Sequence, residues 1–533
     1  MYETKRVVKL DNGLSKSLLS GINILAAAVK TTLGPRGKNV LIERPGQHPV
    51  VTKDGVTVAK AINLKDQFQN LGVQVIKEAA ARTADVAGDG TTTSTILAQT
   101  LFAEGLKMIA AGHDTVSIRQ GIATGVEQVL DNLTKMTKVL ETDEELYQVA
   151  LVSANGETDT AKLISDAVRK VGRDGTVTVE DAKGFSSSLT FVDGFKIERG
   201  YLSPYFITNQ DKMISQLDDC LILLCNRKLD SLKMIMKPLE LALEMEKPIL
   251  IVGNEVDGDA MQGIVLNKVK GGLKVCAIKS PGFGQERMEM MEDLAIITGA
   301  RIVTESDDLS EFSCDDFGKC KRVIVKRTNT LFIGTGSHKE EISIRVRSLK
   351  ERLLDYDLED DEAKVVNYRL NQLAGGVAVL KVGASTEAEL VERKDRVDDA
   401  LNATKAALDE GILPGGGVAL VRASKNLHAN KGELDDDVYA GIRIVKLACE
   451  EPLRQIVTNA GKSPDLILEK VKSYSDTTGY DARSETYTDM MESGIIDPHK
   501  VVRCALENAA STASMLLSVG AAMIEEKIDS LQI

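Results

Sequence analysis

Apolar positions recur at helical spacing through the first 135 residues. Leu14, Leu18, Leu19 and Ile22 mark one stripe, and Ala26–Val29 carries it on to Gly34-Pro35, which stops a helix. Residues 66–86 and 92–111 repeat the pattern. From Gly175 the texture changes, and Thr176–Val179 and Leu189–Val192 predict short strands. Between 216 and 304, apolar runs (Leu221–Leu224, Ile249–Val252, Val275–Ile278 and Ile302–Thr304) alternate with helical stretches, which predicts an α/β layer. A charged helical pair follows. Leu349, Leu353 and Tyr356 line one member, and Val366, Leu370 and Leu373 the other. Asp360-Asp361 fits a turn or N-cap between them, and Gly375-Gly376 ends the pair. A helix over 386–409 carries Leu390, Val397, Leu401 and Leu408 on one face, before Gly415-Gly416-Gly417 breaks the chain and Ala-rich helix returns. The order is palindromic (helical, mixed, α/β, mixed, helical), which suggests a middle domain inserted into outer ones. No period of 20–50 residues appears, so a solenoid is not expected.

Length changes this picture in one respect: 533 residues exceed one compact core, and about three domains are expected. With 43% hydrophobic and 27% charged residues, the chain reads as globular and soluble. A net charge of −13 repels phosphate backbones, so nucleic acid is not an expected partner. No apolar run approaches the roughly 18–20 residues of a membrane span. The opening MYETKRVVKLDNG has no apolar h-region, so no secretory signal is expected. Seven scattered cysteines without a CxxC pair argue for reduced thiols in a cytoplasmic compartment and against a zinc site. Tryptophan is absent and aromatics reach only 4%, which argues against recognition by ring stacking. The five isolated histidines (48, 113, 338, 428 and 499) form no HExxH or triad spacing.

The sharpest local signal is Gly88-Asp89-Gly90-Thr91-Thr92-Thr93, set between two helical segments. Its glycines permit close backbone approach, the following helix N-terminus suits phosphate, and Asp89 offers a hard oxygen for Mg²⁺. A plain helix N-cap is the competing reading. No Walker A sequence is present. Thr31–Asn39 reads either as a second Gly-rich turn or as a C-cap with a proline stop, and Gly415–Gly417 as a close approach, a hinge or a linker. Thr52-Lys53-Asp54-Gly55 fits a type I turn between strands, or a Lys–Asp pair beside a phosphate. Asp399 lies about 200° around its helix from Val397, off the apolar face, as a solvated carboxylate or a general base. Eight of the fifteen methionines (213, 234, 236, 245, 261, 288, 290 and 291) fall in the α/β middle segment, which suits either an adaptable apolar surface or core packing.

Taken together, several segments resemble the group I chaperonins, the GroEL family. They are TLGPRGKNV at 32–40, TKDGVTVAK at 52–60, AGDGTTT at 87–93, RGYLSPYF at 199–206, PGFG at 281–284, LAGGVAV at 373–379, GGGVAL at 415–420 and GIIDP at 494–498. They run in family order across essentially the whole chain. The resemblance implies a multi-domain fold: a mostly α-helical equatorial domain (1–135 and 411–533), a small α/β intermediate domain (136–192 and 377–410) and an α/β apical domain (193–376). It implies an ATP hydrolase with Mg²⁺, and K⁺ as a further candidate cation. Thr32, Leu33, Gly34, Pro35, Lys53, Gly88, Asp89, Gly90, Thr91, Thr92 and Thr93 would surround the nucleotide, with Lys53 and Thr92 near the phosphates and Asp89 on Mg²⁺. Gly415, Gly416, Asp481, Ala482 and Asp497 would complete that site, Gly416 and Asp497 at the nucleoside. Asp399 would be the catalytic carboxylate, engaged when the intermediate domain closes, and Asp54 would help place the attacking water.

Tyr201, Tyr205, Phe206, Met236, Leu239, Met261, Val265 and Leu266 match the family's exposed apolar rim for non-native polypeptides, which would also take a co-chaperonin lid. Arg199 and Glu387 match a pair bridging neighbouring subunits of a seven-membered ring, single or double. Gly194 and Gly375-Gly376 match hinges. The chain departs from the family pattern in three places. Asp481-Ala482-Arg483 stands where Asn-Ala-Ala contacts adenine, so Arg483 would stack on the base or shift nucleotide preference. Ser463 stands at an inter-ring acidic position, and MIEEKIDSLQI lacks a Gly-Met-rich tail. These changes fit a divergent member, phage-encoded or accessory. Two rival readings remain: a metal-dependent phosphohydrolase or phosphotransferase using Asp89 and Asp54, and a scaffold ring with weak ATPase.

Overall fold

The computed structural model describes residues 4–43, 49–172, 175–182, 184–210, 212–335, 339–353, 360–427, 435–474 and 477–527. His48, His338, His428 and Tyr356 lie outside the described residues. The chain forms two compact units: Met1–Val168, Asp181–Ser188 and Lys381–Ile533 make the first, and Arg169–Glu180 and Leu189–Leu380 the second. The middle of the chain is thus inserted into the ends, as the palindromic texture suggests.

The first unit is a bundle of long helices. Asp11–Lys30, Gln67–Ala87, Thr91–Ala110, Thr115–Met136, Asp436–Asn459 and His499–Leu517 carry its core. Leu14, Ile22, Ile76, Leu101, Phe102 and Ile122 are fully buried there. Several helix starts are fixed by side chains that satisfy N–H groups left without an intrahelical partner. Asp66 accepts from Gln69 N, and Asp114 from Ser117 N. Thr142 and Glu145 form a reciprocal capping box. The strands Thr4–Leu10 and Ala521–Lys527 pair antiparallel, with Val7 opposite Ile524, and Val40–Ile42 pairs with Val50–Thr52.

Two turn expectations change. The Thr52–Gly55 segment joins a strand to the helix Gly55–Ala61, not strand to strand, because the Asp54 carboxylate caps that helix. The first long helix ends at Lys30, so Gly34 at φ 82° belongs to the loop beyond it and caps nothing.

The second unit is built on a seven-stranded mixed sheet. Its order is Gly194–Ile197, Thr330–Ile333, Gly318–Val325, Ser215–Leu229, Ile249–Val256 and Val275–Lys279, with Ile302–Val303 also pairing with Ser215–Leu229. Ser215–Leu229, Ile249–Val256 and Val275–Lys279 run parallel, with Leu221 opposite Ile249 and Ile249 opposite Val275. Strands covered on both faces need continuous apolar runs, and Leu221–Leu224 and Ile249–Val252 are buried throughout. The helices Leu232–Glu244, Gly258–Gly271 and Gly284–Thr298 alternate with these strands. Asp293 and Arg369, both fully buried, pair through two hydrogen bonds, one of 2.6 Å, and Arg345 Nε adds a third contact to Asp293 at 2.8 Å. The mid-chain methionines divide: Met290 and Met291 are core, whereas Met213 and Met236 are exposed. All seven cysteines are free thiols, and burial pushes Cys225, Cys276 and Cys449 up to about 12.

Candidate functional site

In the first unit, loops from distant parts of the chain enclose a cavity of about 580 Å³. One wall is the Asp89–Thr93 segment of the glycine-rich turn. Gly88 ends the Gln67–Ala87 helix in the left-handed conformation (φ 74°), and Gly90 starts Thr91–Ala110 in the same conformation (φ 86°). Two such residues flanking one Asp are practicable only as glycines. Gly90 supplies no capping side chain, so the N-terminal turn Thr91–Thr93 lines the cavity uncapped from that position. This settles the local alternative: neither Asp89 nor Thr91 acts as N-cap. Asp89 Oδ1 instead accepts from Gly90 N at 2.5 Å.

Lys53 and Asp54 also line the cavity, and the next residue, Gly55, packs against the Thr91 and Thr92 hydroxyls. Lys53 Nζ donates to the Gly34 carbonyl at 3.2 Å. Burial, with Arg396 and Arg483 nearby, lowers its pKa against the pull of Glu392. Both Asp54 oxygens accept backbone N–H groups, from Val56 at 3.0 Å and Thr57 at 2.8 Å. Thr32 and Thr92 hydroxyls meet at 3.4 Å, tying the Thr32–Pro35 loop to the Thr91–Ala110 helix.

Three further carboxyls face the cavity with raised pKa values. Burial raises Asp89, helped by Asp54 and opposed by the Gly90 N–H. Burial raises Asp399 well above the carboxylate range, with Asp89 and Asp54 adding repulsion. Burial and Asp89 push Asp497 up to about 7. Asp399 is therefore not the solvated carboxylate that its helix pattern allowed. It leaves the apolar face of Glu387–Glu410 and lines the cavity instead of the outer surface. A set of desolvated carboxyls that repel one another favours an added cation. Among the described residues, no three His, Cys, Asp or Glu side chains form a metal cage. Mg²⁺ normally uses one or two carboxylates with phosphate oxygens and water, so this donor set fits a phosphate-bound Mg²⁺.

The far end of the cavity is more apolar, with Ile456, Tyr480, Met490 and Ile495. Gly416 and Gly417 line it, and Gly417 (φ 79°) starts the helix Val418–Ala423, so the triple glycine is a tight turn and not a linker. Gly88 and Gly415 do not line the cavity. A Cβ at Gly88 would meet Asn402 Cγ at 2.6 Å, and one at Gly415 the Ile495 carbonyl oxygen at 2.8 Å, so both serve as supports. Asp481 lines the site but holds its own turn, accepting from Arg483 N at 2.8 Å and Ser484 Oγ at 2.5 Å. Ala482 lies beside it and gives its carbonyl to Arg36 Nε at 3.1 Å. Pattern reading missed Arg396, which lines the cavity and binds Glu157 at 2.8 Å. A charged residue on a charged helix carries no signal of its own.

In the second unit, Tyr205, Met236 and Leu266 are exposed, at 68%, 45% and 53%, while Tyr201, Met261 and Val265 are half-buried. The Pro204–Phe206 turn and the helices Leu232–Glu244 and Gly258–Gly271 that carry most of them adjoin. Phe206 and Leu239 are corrections. Phe206 is fully buried and Leu239 is 7% exposed, because both point into the sheet core beneath the surface Met236 and Leu266 occupy. Arg199 is engaged within its own unit: Nε donates to the Ser280 carbonyl at 3.3 Å, and the guanidinium lies 5.3 Å from the Phe283 ring centre. Glu387 is exposed at the start of its helix. Gly194 is in a strand where a Cβ would meet the Phe332 carbonyl oxygen at 2.7 Å. Gly375 ends the helix Asp360–Gly375, and Gly376 follows at φ 61°.

A helical unit with a phosphate-type cavity, interrupted by an α/β unit, is the architecture of a chaperonin subunit. The model of the TCP-1/cpn60 chaperonin family matches residues 25–527, and the chain belongs to that family. The family read from the eight motifs is thereby borne out. Among solved structures, it is similar to the chaperonin gp146 from bacteriophage EL 2 (Pseudomonas aeruginosa), crystallised in the presence of ATP-BeFx. One crystal form aligns at TM-score 0.72 and 22% identity, covering 98% of this chain and 100% of that one. A second form aligns at TM-score 0.65 and 23% identity, covering 98% and 99%. At such identities the likeness is one of fold. Among the described residues, no helix is long and apolar enough to cross a membrane.

Proposed function

We propose that the chain is an ATP-hydrolysing chaperonin subunit that captures non-native polypeptide on its second unit and encloses it in a ring. The observation that carries this reading is the cavity's opposition of charges. An uncapped helix N-terminus and Lys53 suit phosphate, and the desolvated carboxyls Asp89 and Asp399, with Asp54 beside them, suit the cation that accompanies it. The crystallisation of a chaperonin of this fold with ATP-BeFx agrees with a nucleotide here. The apolar end near Ile456, Tyr480 and Ile495 suits a base.

Mg²⁺ bound with the nucleotide would neutralise phosphate charge and align the leaving group. Asp89 would hold it through the oxygen that Gly90 does not occupy. Thr32–Pro35, Lys53 and Thr91–Thr93 bind the phosphates, while Gly416, Ala482 and Asp497 hold the nucleoside. Asp54 is pinned by two N–H groups, so its carboxylate is held in one orientation to place the attacking water. Asp399 takes the proton from that water: burial and the neighbouring carboxyls raise its pKa, which makes its carboxylate a stronger base than an exposed one. The three-domain division into equatorial (1–135, 411–533), intermediate (136–192, 377–410) and apical (193–376) parts belongs to this reading. So do hinges at Gly194 and Gly375-Gly376, an Arg199–Glu387 bridge between neighbouring copies of a seven-membered ring, a co-chaperonin lid and a cytoplasmic setting.

The test is refolding of a chemically denatured client enzyme with the purified protein. The reading expects aggregation to be suppressed without nucleotide and active client to be released with Mg-ATP. Aggregation unchanged by the protein, or release unaffected by Mg-ATP, overturns it.

A further inference from the structure

The cavity has a second closure that the hydrolytic scheme does not use. Arg483 sits in the turn between the strands Thr478–Asp481 and Thr486–Asp489, at the nucleoside end. That turn is held rigidly from below. Arg36 donates to the carbonyls of Ala482 at 3.1 Å and Arg483 at 3.2 Å and pairs with Glu485 at 3.1 Å, while Asp481 caps the turn from inside. From this base the Arg483 side chain reaches across, and Nη2 donates to the Asn155 carbonyl at 2.8 Å.

The receiving turn is shaped for it. Asn155 (φ 56°) and Gly156 (φ 83°) are consecutive left-handed residues after the helix Asp143–Ser153. A Cβ at Gly156 would fall within 2.8 Å of Arg483 Cζ, so the guanidinium lies directly on the glycine backbone. The next residue, Glu157, accepts from Arg396 at 2.8 Å, and Arg396 is one helical turn before Asp399. A series of contacts thus runs from the nucleoside end through Arg483, Asn155-Gly156 and Glu157 to Arg396, on the helix that carries the catalytic carboxyl Asp399.

We infer that Arg483 is a positioning residue, a strap that holds the Asn155-Gly156 turn over the nucleotide cavity and slows nucleotide exchange. This rests on the nucleotide reading above and gives that site a release control. It also replaces the expectation that Arg483 stacks on the base, since its guanidinium is spent on the opposite rim. The contact is solvent-exposed and charge-assisted, so its loss is expected to speed release about three- to tenfold.

The experiment is stopped-flow release of mant-ADP from the full-length protein, with melting curves as a check on folding. Arg483→Ala is expected to release mant-ADP three- to tenfold faster by that estimate and to raise KM for ATP with little change in kcat. Arg483→Lys should recover part of the loss, because an ammonium reaches the Asn155 carbonyl but cannot lie flat on Gly156. Gly156→Ala should speed release in the parent and add nothing in the Arg483→Ala background. Release from Arg483→Ala at the parent rate, or additive effects of the two changes, overturns the strap. If Gly156→Ala does not fold, the Ala and Lys variants at 483 carry the test. Failure of the parent protein to bind mant-ADP overturns the nucleotide reading itself, a separate result.

Discussion

Replacing Asp497 by Asn is expected to stabilise the nucleotide-free first unit, by an amount that depends on pH. The Asp497 carboxyl lies in the strand Ile496–Pro498, and burial with Asp89 nearby raises it from 3.8 to about 7. In the unfolded chain the same group releases its proton near its ordinary value. Between those two values the folded chain holds a proton that the unfolded chain has lost. Stability therefore falls as pH rises through that window, and the penalty is complete above about 7. At about 1.4 kcal/mol per pH unit, the full penalty is about 4 kcal/mol above neutrality, against about 1.5 kcal/mol at roughly pH 5. Asn is isosteric and neutral at both. With about 2–4 °C per kcal/mol for a domain of 150–250 residues, and less for a larger one, the gain reads as several degrees. The assay is thermal melting of parent and Asp497→Asn in metal- and nucleotide-free buffer at about pH 5 and pH 8. A gain roughly three times larger at the higher pH is expected from the same arithmetic. Equal melting temperatures at the higher pH, or an equal gain at both, refutes the claim that the cavity carboxyls are desolvated.

The other predictions concern the turn, the rim and the core. Gly90→Ala places a Cβ at φ 86° and 2.7 Å from Val501 Cγ1, so it should cost about 1–3 kcal/mol and abolish binding of a fluorescent ATP analogue; unchanged affinity would clear this turn of contact with phosphate. Leu266→Glu should remove capture of unfolded client in a pull-down while leaving the melting curve intact, whereas Leu239→Glu should unfold the second unit by burying an unpaired charge. Matching behaviour of the two would refute the division between rim and core drawn here. Arg369→Ala leaves the fully buried Asp293 with Arg345 alone and should cost about 3 kcal/mol in urea unfolding of the second unit.

Element spans were legible because each carries its own periodicity: the buried stripe of Leu14, Leu18 and Ile22, and the continuous Leu221–Leu224 run. What neighbours decide was not. Periodicity shows that Asp399 leaves the apolar face of its helix. It cannot show that the space opposite is filled by Asp54 and Asp89, more than 300 positions earlier in the chain. Glycine runs mark breaks, but only the fold separates Gly90 and Gly416, which line the cavity, from Gly88 and Gly415, which support it. Motif likeness places Phe206 and Leu239 on the rim, and packing puts them beneath it. Arg483 stood out as a departure from the family, yet its partner is a backbone carbonyl, which has no signature in sequence.

The central claim is that the cavity hydrolyses ATP with Asp399 as the base. It is tested most directly by single-turnover hydrolysis of Mg-ATP by the parent and Asp399→Ala, with ATP binding measured on both. The account predicts unchanged binding and a rate about 10²–10⁴-fold lower in the variant, the range for loss of a positioned general base. Equal rates, or a parent protein that binds Mg-ATP without hydrolysing it, would contradict the claim.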